Sequence, residues 1–191
     1  MCLDVTAHYR EPLKAFLNTD TVAKWLRESG ERRFSEMFEK ILVCLDGSEL
    51  AEQILPYAVE EALHFGSKLV LLQAVGTHGT IPVVAAGASA YAVEASAQQI
   101  EKDEIEAKAY LEGLALPLRD KGLDLQCVTL RGLQVGEAIV SYADENNISL
   151  IAIATHGRSG LGRLVFGSVA DFVLREAGLP ILVIKPKKSV A

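Results

Sequence analysis

The sequence predicts an α/β protein built on a doubly wound, five-stranded parallel sheet. Three observations carry that expectation. Short, largely apolar runs recur at residues 41–45, 68–75, 125–130, 150–153 and 181–184, as expected of strands in a buried parallel sheet. Amphipathic stretches of helical period separate them, the alternation of βαβ units with right-handed crossovers. Gly or Pro punctuates nearly every junction. Half of the 191 residues are hydrophobic, enough to bury a substantial core.

Residues 1–36 stand apart. They hold six basic and six acidic residues, so the formal net charge of −6 belongs to residues 37–191. Pro12, Leu13, Phe16 and Leu17 suggest one short helix, and Val22, Trp25 and Leu26 between Asp20 and Gly30 a second. This segment is therefore expected to be an N-terminal helical extension, with the main domain spanning 37–191. There the first strand ends in Asp46-Gly47-Ser48, which caps a helix from 49 to 64 carrying Ile54, Ala58 and Ala62 inward. Strand two follows at 68–75. Residues 76–91, rich in Gly and Ala, read as a long loop. A helix is expected from 93 to 121, stopped by Gly122, then strand three and a short helix at 135–146. Strand four, a glycine-punctuated loop, a helix at 169–177 and strand five complete the domain. A strand order of 3-2-1-4-5 places the switch point between strands one and four. It brings Asp46 beside residues 154–157, the two best polar features of the chain.

The acidic balance argues against nucleic-acid or anionic-membrane partners. No apolar run reaches the ~18 residues of a spanning helix, and residues 1–14 lack a secretory apolar core. Cys2, Cys44 and Cys127 show no CxxC or metal spacing, and the two within apolar runs read as reduced, buried thiols. These features point to a cytoplasmic protein. Glu101, Asp103, Glu104 and Glu106 read as a solvated helix face.

The loop after strand four has the ingredients of an anion site. Gly157, Gly160, Gly162 and Gly167 let backbone N–H groups approach a phosphate closely, and Ser168 opens a helix whose N-terminus favours negative charge. His156, Arg158 and Arg163 add positive charge. No GxxxxGK[ST] occurs, and no GxGxxG follows the first strand. P-loop hydrolysis and dinucleotide binding thereby lose their support. A plain glycine-rich turn is the competing reading.

Three segments resemble the universal stress protein family: 38–43 leading into Asp46-Gly47-Ser48, the loop 155–161, and Gly167-Ser168-Val169-Ala170 followed by 180–184. Nucleotide-binding members carry G-x2-G-x9-G-[ST]. That frame falls on Ala154, Gly157, Gly167 and Ser168, with alanine in place of the first glycine. A methyl is compatible with a ligand there where the backbone keeps φ below zero.

The resemblance implies a Rossmann-like fold of the adenine nucleotide alpha hydrolase type. It further implies ATP, ADP or AMP as ligand, Mg²⁺ on the phosphates, and a homodimer pairing Ile181–Ile184 with its copy. Asp46 would bind the adenosine and Ala74 would line the adenine slot. Ala154, Gly157, Arg158, Gly160, Gly167, Ser168 and Val169 would surround the phosphates. The implied role is stress-response regulation. Two alternatives stay open: a dimeric interaction protein without nucleotide, and a slow ATPase or phosphotransferase.

Overall fold

The computed structural model describes residues 38–75, 90–132, 134–155 and 167–187. The two helices expected within 1–36, residues 76–89 of the loop expected over 76–91, and residues 156–166 lie outside the described residues, whereas residues 90–91 are helical. The chain divides between Met37 and Phe38 into two units, and the described residues all belong to the second.

The described elements are β1 (Lys40–Leu45), α1 (Glu49–Glu52), α2 (Leu55–Phe65), β2 (Lys68–Val75), α3 (Ala90–Arg119), β3 (Leu125–Arg131), α4 (Val135–Glu145), β4 (Leu150–Ala154), α5 (Ser168–Glu176) and β5 (Ile181–Ile184). All sheet pairs are parallel and the order is β3-β2-β1-β4-β5, as the sequence predicts. The register sets Leu45 against Gln73 and Cys44 against Ile153, so β1 lies between β2 and β4.

Strand alternation sorts the core into two halves. Ile41, Val43, Leu69, Leu71, Leu150 and Ala152 face one way, covered by Ile54, Ala58 and Ala62 from the α1–α2 segment and by Leu111 and Ala115 of α3. Leu42, Val70, Leu72, Ile151 and Ile153 face the other way, under Ile139 and Ala143 of α4 and Ala170 and Val173 of α5. Both faces are buried, which is why these strands read as unbroken apolar runs.

Three differences from the sequence reading have local causes. The single helix expected at 49–64 is broken at residues 53–54. Continuity would need Pro56 to donate to the Glu52 carbonyl, but proline has no N–H and its ring collides with that carbonyl. Ile54 N–H turns to Ala51 O (3.2 Å) instead, and α2 restarts with Pro56 in its first turn, where no donor is required. In the break, Gln53 Nε2 donates to Lys187 O and Gln53 Oε1 accepts from Lys187 N–H, both at 2.8 Å. The carboxamide thus acts as a stretch of backbone that pins the chain beyond β5.

The long helix begins at Ala90 rather than 93 and ends at Arg119 rather than 121, with Pro117 in its last turn and Gly122 at φ 86°. The charge run at 101–106 is only partly a solvated face. Glu104 is half-buried, pairs with Arg131 and accepts from its Nε at 3.0 Å, which fastens α3 to β3. Arg131 holds the Glu104 carboxyl below its usual range.

Candidate functional site

The C-terminal ends of β1, β2 and β4 open into a cleft of about 610 Å³. Asp46, Ala74, Ala154, Gly167, Ser168 and Val169 all line it. The other three site residues named from sequence, Gly157, Arg158 and Gly160, lie outside the described residues.

At β1 the strand stops in a turn that needs glycine, since Gly47 has φ 79°. The turn lets Asp46 fold back on Ser48, whose N–H and hydroxyl both donate to Asp46 Oδ1, at 3.0 and 2.6 Å. Ser48 Oγ in turn accepts from Ala51 N–H at 3.1 Å and is the true N-cap of α1. Asp46 is therefore held in place by the cap rather than being the cap.

Ala154 is the last residue of β4, buried and in register with Ile184. Among the described residues Asn147 is the one non-glycine residue with positive φ. Ala154 thus meets the condition under which a methyl is compatible, and its backbone does not require glycine.

Gly167 closes the loop back onto β4 by donating its N–H to the Thr155 carbonyl at 2.8 Å. A Cβ at Gly167 would stand 3.3 Å from that oxygen, which explains the small residue there without any need for positive φ. Gly167 caps α5 with no side-chain hydrogen bond. The first intrahelical bond runs from Asp171 N–H to Gly167 O at 2.9 Å. The N–H groups of Ser168, Val169 and Ala170 therefore have no acceptor within the helix. The one acidic side chain in that turn, Asp171, is paired with Arg175.

The remaining walls include groups not singled out from sequence. Gln73, Thr155, and Asp103, Glu106 and Tyr110 of α3 line the same cleft. Tyr110 Oη donates to Glu52 Oε1 at 3.0 Å, tying α3 to α1 beside it. Only the fold brings α3 over the strand ends, so its charge run could not be assigned to the cleft from spacing alone. Cys44 also lines the cleft, and burial pushes its thiol up to about 12, so it stays protonated and inert. Cys127, expected to be buried, is half-exposed beside Arg119 and Glu112. Among the described residues no three His, Cys, Asp or Glu side chains converge as a metal site. Nor, among them, is any helix long and apolar enough to cross a membrane.

An open parallel α/β sheet with a polar cleft at its switch point defines a class of ligand-binding domains. Residues 37–185 match the universal stress protein family, and the chain belongs to it. Universal stress protein MJ0531 of Methanocaldococcus jannaschii is 27% identical over 158 residues, covering 82% of this chain and 88% of that protein. The solved structure of MJ0577 from the same organism aligns with a TM-score of 0.69 at 26% identity, covering 80% of this chain and 99% of the other. The universal stress protein from Archaeoglobus fulgidus, solved in complex with dAMP, aligns with a TM-score of 0.54 at 26% identity. It covers 78% of this chain and 99% of its own.

Proposed function

We propose that the cleft binds an adenine nucleotide (ATP, ADP or AMP) and that the protein is a nucleotide-binding regulator rather than a dedicated enzyme. The observation that carries this reading is the meeting of two features in one cleft. The first-turn residues of α5, whose N–H groups have no acceptor within the helix, line it, and the tethered Asp46 stands across the β1–β4 boundary. Helix N-termini favour anions, and an oriented carboxylate accepts from ribose hydroxyl groups. The Archaeoglobus fulgidus relative in complex with dAMP supports the same ligand class.

In this reading Gly157, Arg158, Gly160, Gly167, Ser168 and Val169 hold the phosphates. Ala154 packs beside them, Asp46 takes the sugar and Ala74 borders the base. Mg²⁺ would ride on the phosphates, supplying charge neutralisation there. Hydrolysis would be slow. Residues 37–191 would form the nucleotide-binding domain, with 1–36 a helical extension, in a cytoplasmic homodimer joined through β5. β5 is an edge of the sheet among the described residues, and its four apolar residues are half-exposed, a liability unless covered.

The test is equilibrium binding of ATP, ADP and AMP by calorimetry to the full chain and to Gly167→Val. The larger side chain crowds the Thr155 carbonyl and the phosphates, so binding should weaken at least about tenfold with the fold retained. No binding by the unmodified chain at millimolar nucleotide would sink the reading.

A further inference from the structure

Two buried side-chain atoms lack a hydrogen-bond partner among the described residues: Ser67 Oγ and Gln73 Oε1. Ser67 sits just before β2, at the end of the strand away from the cleft, whereas Gln73 lines the cleft itself. Gln73 is 8% exposed and follows Leu69 and Leu71 on one face of β2. A leucine there would continue the apolar stripe at no polar cost. Glutamine instead leaves a desolvated acceptor unpaired, a cost that native structures retain where a ligand or an ordered water meets it.

The position of Gln73 along the sheet says which part of a ligand it would meet. β4, β1 and β2 are consecutive neighbours. The α5 N-terminus adjoins β4 through the Gly167–Thr155 bond, Asp46 ends β1, and Gln73 lies in β2. With strands ~4.8 Å apart, β4 to β2 spans about 10 Å. Phosphate at β4, sugar at β1 and base at β2 is the order in which a mononucleotide is built. A carboxamide offers a donor and an acceptor in one plane, the complement of an adenine edge with its 6-amino donor and adjacent ring-nitrogen acceptor.

We propose that Gln73 is the base-reading residue of the cleft, pairing its carboxamide with the adenine edge that carries the 6-amino group. The assignment rests on the nucleotide-binding reading above. In that pairing the unpartnered Gln73 Oε1 accepts from the 6-amino group and Nε2 donates to the ring nitrogen beside it.

The experiment is a cycle between side chain and base. ATP and its analogue with hydrogen in place of the 6-amino group are titrated into the full chain and into Gln73→Leu. Thermal melts of both proteins are recorded without nucleotide. The unmodified chain should prefer ATP by about tenfold, and Gln73→Leu should bind the two ligands within about twofold of each other. The ligand-free variant should melt at or above the unmodified chain, because an unpaired buried acceptor has been removed. An undiminished preference in Gln73→Leu would overturn the assignment while leaving nucleotide binding standing, as would a marked fall in its melting temperature. Failure of the unmodified chain to bind either ligand would overturn the nucleotide reading itself and this assignment with it.

Discussion

Replacing Gly136 with alanine should loosen the phosphate-side helix, and the size of the effect follows from one contact. Gly136 is the second residue of α4, where it packs against α5. A methyl built there falls 2.7, 2.8 and 2.9 Å from Cδ1, Cγ and Cβ of Phe172. Comfortable carbon–carbon contact is ~3.5–4.0 Å, so something must retreat by roughly 0.7–1 Å. The clash reaches the root of the Phe172 side chain, so a change of rotamer does not clear it and α5 itself must move. Overpacking of this kind costs ~1–3 kcal/mol. Alanine recovers at most ~1 kcal/mol of helix propensity over glycine, and less in a first turn. The net is a destabilisation of about 1–2 kcal/mol. At ~2–4 °C per kcal/mol for a domain of this size, the melting temperature should fall by roughly 2–8 °C.

Phe172 lies one turn after Ser168, so nucleotide affinity should fall as well. Scanning calorimetry and nucleotide titration on Gly136→Ala, Phe172→Ala (which removes Cγ and Cδ1) and the double variant separate the terms. The double variant should be more stable than the sum of the single losses implies, with a coupling of at least ~0.5 kcal/mol. A Gly136→Ala protein that melts at or above the parent, or strict additivity with Phe172→Ala, would refute the packing argument.

Ser48→Ala removes both the acceptor for Ala51 N–H and the hydroxyl that tethers Asp46. It should cost about 1 kcal/mol of stability, visible in a urea titration, and weaken nucleotide binding several-fold; undiminished affinity would mean that Asp46 needs no tether. The β5 edge can be probed without disturbing β4. Pro180 and Ile184 carbonyls accept from β4, so the N–H groups of Ile181 and Val183 point outward. Val183→Pro removes an outward donor, and if the proposed β5 dimer forms, this variant should sediment as a monomer at equilibrium. A parent chain that sediments as a monomer at micromolar concentration would remove the basis for a β5 dimer, and a Val183→Pro dimer would place the contact elsewhere.

The sheet was legible because each strand carries its own evidence: β1 from Ile41 to Leu45, β4 and β5 are apolar at every position, and β2 and β3 are mostly so. Its order was legible for a different reason. The order 3-2-1-4-5 is one that sets Asp46 beside the residues after β4, and the parallel pairing of Val43 with Ala152 realises it. What sequence reading missed depends on partners distant along the chain. The break between α1 and α2 is the exception, since Pro56 marks it locally within an otherwise continuous amphipathic pattern. Gly136 looks like any helical glycine until Phe172 is opposite it. Asp103 and Glu106 look remote from any site until α3 is laid over the strand ends. Gln73 is the one polar residue of β2 after Lys68 at its start, and nothing local says whether it faces a lipophilic core or a cleft.

The glycine frame itself divides once backbone and bulk are considered separately. Glycines are drawn to two kinds of position, those that need positive φ and those that need room. Gly47 is of the first kind, at φ 79°. Gly167 is of the second, at φ −58° and 3.3 Å from the Thr155 oxygen by its absent Cβ. Ala154 sits in regular strand and does not need positive φ, so a glycine there in other family members would reflect room rather than conformation. One methyl at the floor of an open cleft takes less room than the side chain that Gly167→Val would add beside the Thr155 carbonyl. The departure of this chain from the family frame at Ala154 therefore falls where the fold tolerates it best, and the binding of nucleotide should be decided at Gly167 and Ser168.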